Sequence, residues 1–244
     1  MTSADLSNAI VRTASRFIGL REVKANAEWD NPATPGSETA LSGELRAMMR
    51  PAPWEPGWAY CAAFAEGVVT TALRSLGATP DEVARFASVM SPHCVTAANR
   101  FRQRGLLSQL PAPGAIWLAK HDGTSNGHAG IVQTVSARMI STIEANTSLD
   151  SANPAKDREG DWITTKLFSR DGRGRLRTLG FITPEAVTML LNAERVANVS
   201  GAQGNQKPHF WPKGEKHPAE LIERQREADR MPPIWKVETM RFFP

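Results

Sequence analysis

Three side chains that together could perform nucleophilic catalysis follow one another along the chain: Cys61, His128 and Glu144. A thiol is a strong nucleophile only as the thiolate, and a nearby imidazole can take its proton and hold the resulting charge. The imidazole in turn needs a third group that fixes its tautomer and its orientation. The sequence therefore predicts a site in which Cys61 attacks a carbonyl, His128 is the general base and Glu144 orients the ring.

The local sequence favours these roles over the ordinary structural ones. Cys61 lies at a predicted helix start, where the helix dipole favours the thiolate, although a free cysteine is commonly a buried structural thiol. His128 begins an apolar strand, and the alternative is an exposed loop histidine. Strand alternation places Thr142, Glu144 and Asn146 on one face, so Asn146 is the second candidate for orienting the ring. A solvated strand end is the alternative for Glu144.

Aromatic residues before the cysteine are candidates for substrate binding. Trp58 and Tyr60 lie in a Pro-rich loop where their rings could line a groove, and core filling is the equal alternative. The second cysteine, Cys94, is interpreted as structural. The remaining histidines are His93, His121, His209 and His217. They repeat no ligand spacing, so no metal site and no cofactor are expected.

A predicted hairpin carries a cluster of basic residues and one acidic residue, Asp171. The basic residues are Lys166, Arg170, Arg173, Arg175 and Arg177. They could contact an anionic polymer, but a solvated hairpin is the preferred interpretation. The net charge of +4 and the pI near 9.3 are compatible with such a polymer. No nucleic-acid-binding signature is present, so nucleic acid is not an expected partner.

Hydrophobic periodicity divides the chain into a helical first part and a strand-rich second part. Helices are predicted over Asp5–Leu20, Leu41–Met49, Tyr60–Leu76, Pro80–Ala87 and Val95–Arg104. Strands are predicted over Ala115–Ala119, His128–Val135, Met139–Glu144, Trp162–Ser169 and Leu176–Ile182. The polar stretch Lys24–Ser42 is predicted to be a long loop. This order is typical of an α+β fold in which N-terminal helices pack on an antiparallel sheet.

We expect one catalytic domain over residues 1–183 and a C-terminal helical extension over residues 184–244. The extension contains predicted helices Pro184–Val199 and Ala219–Arg230, joined by a Gly/Pro/Lys-rich linker. No apolar run is long enough for a membrane span, and the N-terminus lacks the pattern of a secretory signal. Two cysteines in 244 residues indicate thiols in a reducing compartment rather than a disulfide framework.

Four segments in this order resemble the CHAP group of amidohydrolases and peptidases, within the wider papain-like NlpC/P60 set. They are Tyr60–Phe64, Pro113–Ile116, Gly127–Val132 and Ile143–Ser148. The resemblance covers Ala4 to Ile182 and implies a papain-like fold. It also implies that Cys61 is the nucleophile, His128 the base and Glu144 the orienting acid. The residue before the nucleophile is often tryptophan in this group and is tyrosine here.

By this resemblance the protein would cleave an amide bond in the peptide part of bacterial peptidoglycan, as an endopeptidase or an N-acetylmuramoyl-L-alanine amidase. We expect it to be made in the cytoplasm and to reach the cell wall or periplasm later. Delivery would be as an endolysin or as an injected antibacterial toxin, such as a type VI secretion effector. An immunity protein or a secretion-system carrier would then be a further partner. The alternatives are a papain-like thiol enzyme on another substrate and a non-catalytic wall-binding module.

Overall fold

The computed structural model describes residues 1–24, 26–30, 38–52, 54–149 and 160–200, without the side chains of 38–40 and 193–200. By its contacts the chain divides into two units, Met1–Val196 and Ala197–Pro244. The sheet and the helices that pack on it lie in the first unit.

Five of the six described helices precede the six strands from residue 116 onward, as the sequence predicts, whereas two short strands follow the first helix and one helix follows the sheet. The helices are α1 Ser3–Ser15, α2 Glu38–Met49, α3 Cys61–Ser75, α4 Pro80–Val89, α5 Cys94–Gln103 and α6 Pro184–Ser200. The strands are β1 Arg21–Lys24, β2 Glu28–Asp30, β3 Ile116–His121, β4 Gly127–Val135, β5 Met139–Thr147, β6 Trp162–Ser169, β7 Gly172–Arg173 and β8 Leu176–Ile182. The α+β class is therefore confirmed.

The sheet closes on itself. Its strand order is β2-β1-β6-β5-β4-β3-β8-β7, and β7 also pairs with β6 through Ser169 opposite Gly172. The strands from β3 to β8 thus form a closed ring of six, from which β1 and β2 extend. A closed six-strand ring is not papain-like, so that part of the fold prediction is wrong. The closure depends on the backbone pairing of a two-residue strand, which no hydrophobic pattern marks.

The strands separate two cores because successive side chains point to opposite faces. The inside of the ring is filled by a small apolar core, which consists of Ala115, Trp117, Ala119, Val132, Ile140, Phe168, Leu176 and Phe181. The outer face packs against the helices through residues such as Ile116, Ile131 and Ile143. Burial of apolar surface on both faces, worth roughly 25 cal/mol per Å², is the main stabilisation of the unit.

The central helix of the outer layer is α3. It packs against α1, α2 and α4 on one side and against β4 and β5 on the other. Its side chains from Cys61 to Thr70 are all buried, which explains the apolar character of this segment. The helix ends before Gly77, whose φ of +80° is a conformation that glycine adopts at little cost.

The structure differs from the sequence-based expectations for one loop and for one domain boundary. The segment expected to be a loop contains β2, and β1 directly precedes it; both strands are too short and polar to show clear alternation. The first unit also continues past the expected boundary at residues 183 and 184, because Val187 and Leu191 of α6 are buried in its core. The predicted linker and the helix Ala219–Arg230 lie outside the described residues.

Candidate active site

Two cysteines occupy equivalent positions at helix starts. Cys61 is the first residue of α3, and Cys94 is the first residue of α5. Within the described part of the chain neither helix has a side-chain cap, and neither has an acidic residue in its first turn. By contrast, α1 and α4 satisfy their first N–H groups with capping boxes. The positive ends of the α3 and α5 dipoles are therefore left to act on the two sulfur atoms.

The inner face of the ring brings His128 and Glu144 together. Nε2 of His128 lies 2.8 Å from Oε2 of Glu144. The Trp117 ring packs edge-on against the imidazole, with 6.1 Å between the ring centroids. Cys61 and His128 are each 8% exposed, whereas Glu144 is 0% exposed. The site thus extends from a cysteine and a histidine that are almost fully buried to a carboxylate that is sealed inside the ring.

Glu144 receives hydrogen bonds on both of its oxygens. Thr142 Oγ1 donates to Oε1 at 2.6 Å, and Arg173 Nη1 donates to Oε1 and Oε2 at 2.8 and 2.9 Å. Gly130 makes room for the carboxylate, since a Cβ at that position would lie 2.7 Å from Glu144 Cγ. Burial by itself would raise the pKa of Glu144, but the charge of His128, its hydrogen bond and the Arg173 charge lower it to about 2. The carboxylate is therefore ionised throughout the neutral range.

The thiol and the imidazole stabilise each other's charged forms. A hydrogen bond from Cys94 is the largest cause that holds the pKa of Cys61 well below its ordinary value. Burial opposes this, and the His128 charge and the Ala129 N–H add to it. Burial likewise opposes the imidazolium, but the charges of Cys61 and Glu144 raise the pKa of His128 to about 9. Because Nε2 bonds to Glu144, Nδ1 is the nitrogen left for Cys61. Between the two pKa values the pair exists as thiolate and imidazolium.

Cys94 is a site residue that the sequence analysis missed. It is buried, as expected of a structural thiol, but it lies close enough to Cys61 for each thiol to shift the pKa of the other. Gly127, which precedes His128, lies against it, since a Cβ there would be 2.7 Å from the Cβ of Cys94. The hydrogen bond to Cys61, together with burial, raises the pKa of Cys94 well above its ordinary value, so it stays protonated. Only the shared helix-start position of the two cysteines could have indicated this contact.

Replacing Cys94 by alanine is expected to raise the pKa of Cys61, because the largest stabilisation of its thiolate is lost. Iodoacetamide alkylation of Cys61 at pH ~6, followed by peptide mass spectrometry, should slow by roughly 10-fold. Cys94→Ser is the matched control, since its hydroxyl can still donate, and its rate should stay close to that of the wild type. Equal rates in the wild type and the alanine variant would contradict the thiol–thiolate contact.

Asn146 does not share the face of Glu144, so the expected alternation fails at this point. Its φ is +58°, and the β5–β6 ladder has a bulge between Glu144 and Thr147. The bulge adds backbone length and turns the side chain toward the start of α3. There Oδ1 of Asn146 accepts a hydrogen bond from the Tyr60 N–H at 3.3 Å. Of the two candidates for orienting the imidazole, Glu144 is the one that bonds to it.

The two aromatic candidates for substrate binding have different surroundings. The Tyr60 ring is fully buried against Trp29, with 5.1 Å between ring centroids, so its side chain fills the core. Trp58 is partly exposed, and its carbonyl oxygen accepts the Trp54 indole N–H at 3.0 Å. Trp58 therefore remains a candidate for contact with a substrate, whereas the Tyr60 ring has no exposed surface for it.

The basic hairpin is not uniformly solvated. Lys166 is 4% exposed, and its Nζ donates to the Ser148 carbonyl oxygen. Arg173 points into the ring and binds Glu144, whereas Arg175 is exposed. The interpretation of the hairpin as a solvated surface is therefore wrong for Lys166 and Arg173. The sequence could not show this, because the direction of these side chains depends on ring closure.

No group of three or more His, Cys, Asp or Glu side chains among the described residues could hold a metal ion. In the same part of the chain, no helix combines the length and apolarity needed to cross a bilayer. Comparison with known proteins finds no matching family model, no matching curated protein and no matching solved structure. A functional proposal for this chain therefore rests on the geometry of the site and on the sequence segments around it.

Proposed function

We propose that the chain is a cysteine hydrolase that cleaves an amide bond in the peptide part of bacterial peptidoglycan. The observation that carries the proposal is the linked set of Cys61, His128 and Glu144. Glu144 bonds to Nε2 of His128, and the imidazole is paired with a thiol whose pKa lies well below its ordinary value. This arrangement meets the requirements of nucleophilic catalysis, in which a base activates the nucleophile and a third group orients the base.

In the proposed reaction the Cys61 thiolate attacks the amide carbonyl carbon and forms a tetrahedral oxyanion. Backbone N–H groups at the start of α3, among them that of Cys61, stabilise the oxyanion at about 3 kcal/mol per donor. The His128 imidazolium gives its proton to the leaving amine, the C–N bond breaks, and a thioester remains on Cys61. Neutral His128 then takes a proton from water, whose attack releases the acid and restores the thiolate–imidazolium pair.

Two observations support peptidoglycan as the substrate. The four segments around the site residues resemble those of peptidoglycan amidases and endopeptidases, and the net charge of +4 favours an anionic polymer. Trp58, near the nucleophile, is proposed to contact the sugar–peptide strand. We further propose that the protein acts on the wall after release as an endolysin or injection as an antibacterial effector.

Digestion of purified wall sacculi tests the proposed function. The wild type is expected to release soluble fragments, and Cys61→Ala should reduce the release by at least roughly 10³-fold, since it removes the nucleophile. Mass spectrometry of the fragments distinguishes cleavage at the muramoyl–alanine bond from cleavage within the peptide. If the wild type releases nothing although Cys61 alkylates as a thiolate, the substrate is another amide or ester and the peptidoglycan assignment is wrong.

A further inference from the structure

The buried carboxylate of Glu144 has a second cationic partner besides His128. A carboxylate without contact to water is stable only where charges and hydrogen bonds replace its hydration. His128 supplies one hydrogen bond at 2.8 Å and Thr142 another at 2.6 Å. Arg173 supplies contacts to both oxygens at 2.8 and 2.9 Å through Nη1. Glu144 is thus held between an imidazole and a guanidinium.

The hairpin gives Arg173 a fixed position. Its side chain is 10% exposed, and Cζ lies 5.2 Å from the centre of the Phe168 ring. Its Nη2 also donates to Oγ1 of Thr147, the last residue of β5, at 3.4 Å. The preceding Gly172 has a φ of +129° and approaches the Leu176 carbonyl so closely that a Cβ would lie 2.0 Å from its oxygen. Arg173 therefore reaches the inside of the ring because a glycine allows the hairpin to fold tightly.

Two other cationic side chains lie near Glu144. Lys166 on β6 lies opposite Thr142 in the ladder, and its Nζ donates to the Ser148 carbonyl oxygen. His128 on β4 bonds to Glu144 and also interacts with Cys61 of α3. Arg173 from β7 is thus a second cation that hydrogen-bonds to the carboxylate, and it contacts both oxygens.

We propose that Arg173 is a positioning residue of this site, which holds Glu144 ionised and in the orientation that receives the His128 Nε2 hydrogen. Thr142 and Arg173 both donate to Oε1, and Arg173 shares Oε2 with the imidazole, so the carboxylate is fixed with Oε2 toward His128. The role in hydrolysis rests on the proposed function, but the effect on Glu144 does not. Arg173 acts through Glu144 and does not touch the reacting atoms.

The test compares Arg173→Gln, Arg173→Lys and the matched control Arg175→Gln, which removes the same charge from an exposed position of the same hairpin. The first readout is the carboxyl ¹³C shift of Glu144 against pH, assigned by its loss in Glu144→Gln. In the wild type and in Arg175→Gln this carboxyl should not titrate down to about pH 4, because its pKa is about 2. In Arg173→Gln it should titrate at distinctly higher pH, and Arg173→Lys, which keeps the charge, should restore most of the wild-type behaviour.

The second readout is alkylation of Cys61. Arg173→Gln should slow alkylation by roughly 10-fold at pH ~5, since a protonated Glu144 no longer supports the imidazolium. A purely structural defect would instead lower the alkylation rate by the same factor at every pH. If Arg173→Gln does not fold, the comparison of Arg173→Lys with the wild type decides, because the shorter lysine side chain weakens the contact with Glu144 and should raise its titration midpoint slightly while keeping the charge. Identical titration of Glu144 in the Arg173 and Arg175 variants would overturn the proposal. Absence of wall digestion would affect only the proposed function.

Discussion

Replacing His128 by alanine is expected to abolish most of the reactivity of Cys61. The imidazolium charge and its hydrogen bond lower the pKa of the thiol, and both disappear in the variant. Alkylation by iodoacetamide at pH ~6 should fall by roughly 10- to 100-fold, because the thiolate fraction falls with the rise in pKa. Hydrolysis should fall by at least roughly 10³-fold, since the general base and the proton donor of the leaving group are lost together.

His93→Ala is the control for this prediction. His93 is exposed at the start of α5, next to Cys94, and its side chain caps nothing within the described residues. The pH profile of Cys61 alkylation in this variant should match the wild type. A wild-type profile in His128→Ala would mean that Cys94 and the helix N-termini alone stabilise the thiolate, and the base would have to be sought elsewhere.

Glu144→Gln is expected to lower the pKa of His128, which is about 9 in the intact site. The ring loses the carboxylate charge, and the Arg173 guanidinium is no longer neutralised. The amide also offers one acceptor where the carboxylate offers two, so it cannot satisfy both neighbours. Hydrolysis should fall by on the order of 10²- to 10⁴-fold. A ¹³Cε1 titration of His128, assigned from the His128→Ala spectrum, measures the shift without any substrate.

The same variant changes the pH dependence of stability. The pKa of His128 is raised from 6.5 to about 9, so its contribution to the stability of the fold is complete below pH 6.5 and is lost as pH rises through about 9. In Glu144→Gln this contribution to stability should be smaller and should be lost at a lower pH. Urea unfolding measured at several pH values between 6.5 and about 9 would show the difference.

Asn146→Gly separates the two candidates for orienting the ring. Glycine tolerates the positive φ of this position and removes the side-chain bond to Tyr60. We expect the His128 titration to be unchanged in this variant. A fall of the His128 pKa equal to that in Glu144→Gln would instead assign the orienting role to Asn146.

The sequence predicts the elements that carry strong periodicity. The predicted bounds of β6 and β8 agree with the structure, those of α3 differ by one residue at each end, and those of β4 differ by one residue at the start. Cys61, His128 and Glu144 are brought together because their order places one at a helix start and two on adjacent strands. For these residues, local pattern and chain order contain most of the necessary information.

Residues that depend on tertiary packing could not be predicted in this way. Cys94 and Cys61 each begin a helix, and their thiols interact although 33 positions separate them, which no local pattern reports. In the sequence Arg173 cannot be distinguished from the exposed arginines beside it. In the structure the pairing of β7 with β6 and β8 closes the ring and directs the Arg173 side chain inward. Asn146 leaves the face of Glu144 because of one bulge, which shifts the side-chain alternation of the strand.

Strand β5 contacts both halves of the reacting pair. Glu144 holds the imidazole, and Asn146 holds the backbone N–H of Tyr60, the residue directly before Cys61. A small displacement of β5 along its own axis therefore carries the base and the nucleophile in the same direction. Motion of this strand is then expected to change the separation of sulfur and imidazole less than it changes the position of either group. Glu144 and Asn146, two residues apart on one strand, thereby couple the position of the base to that of the nucleophile.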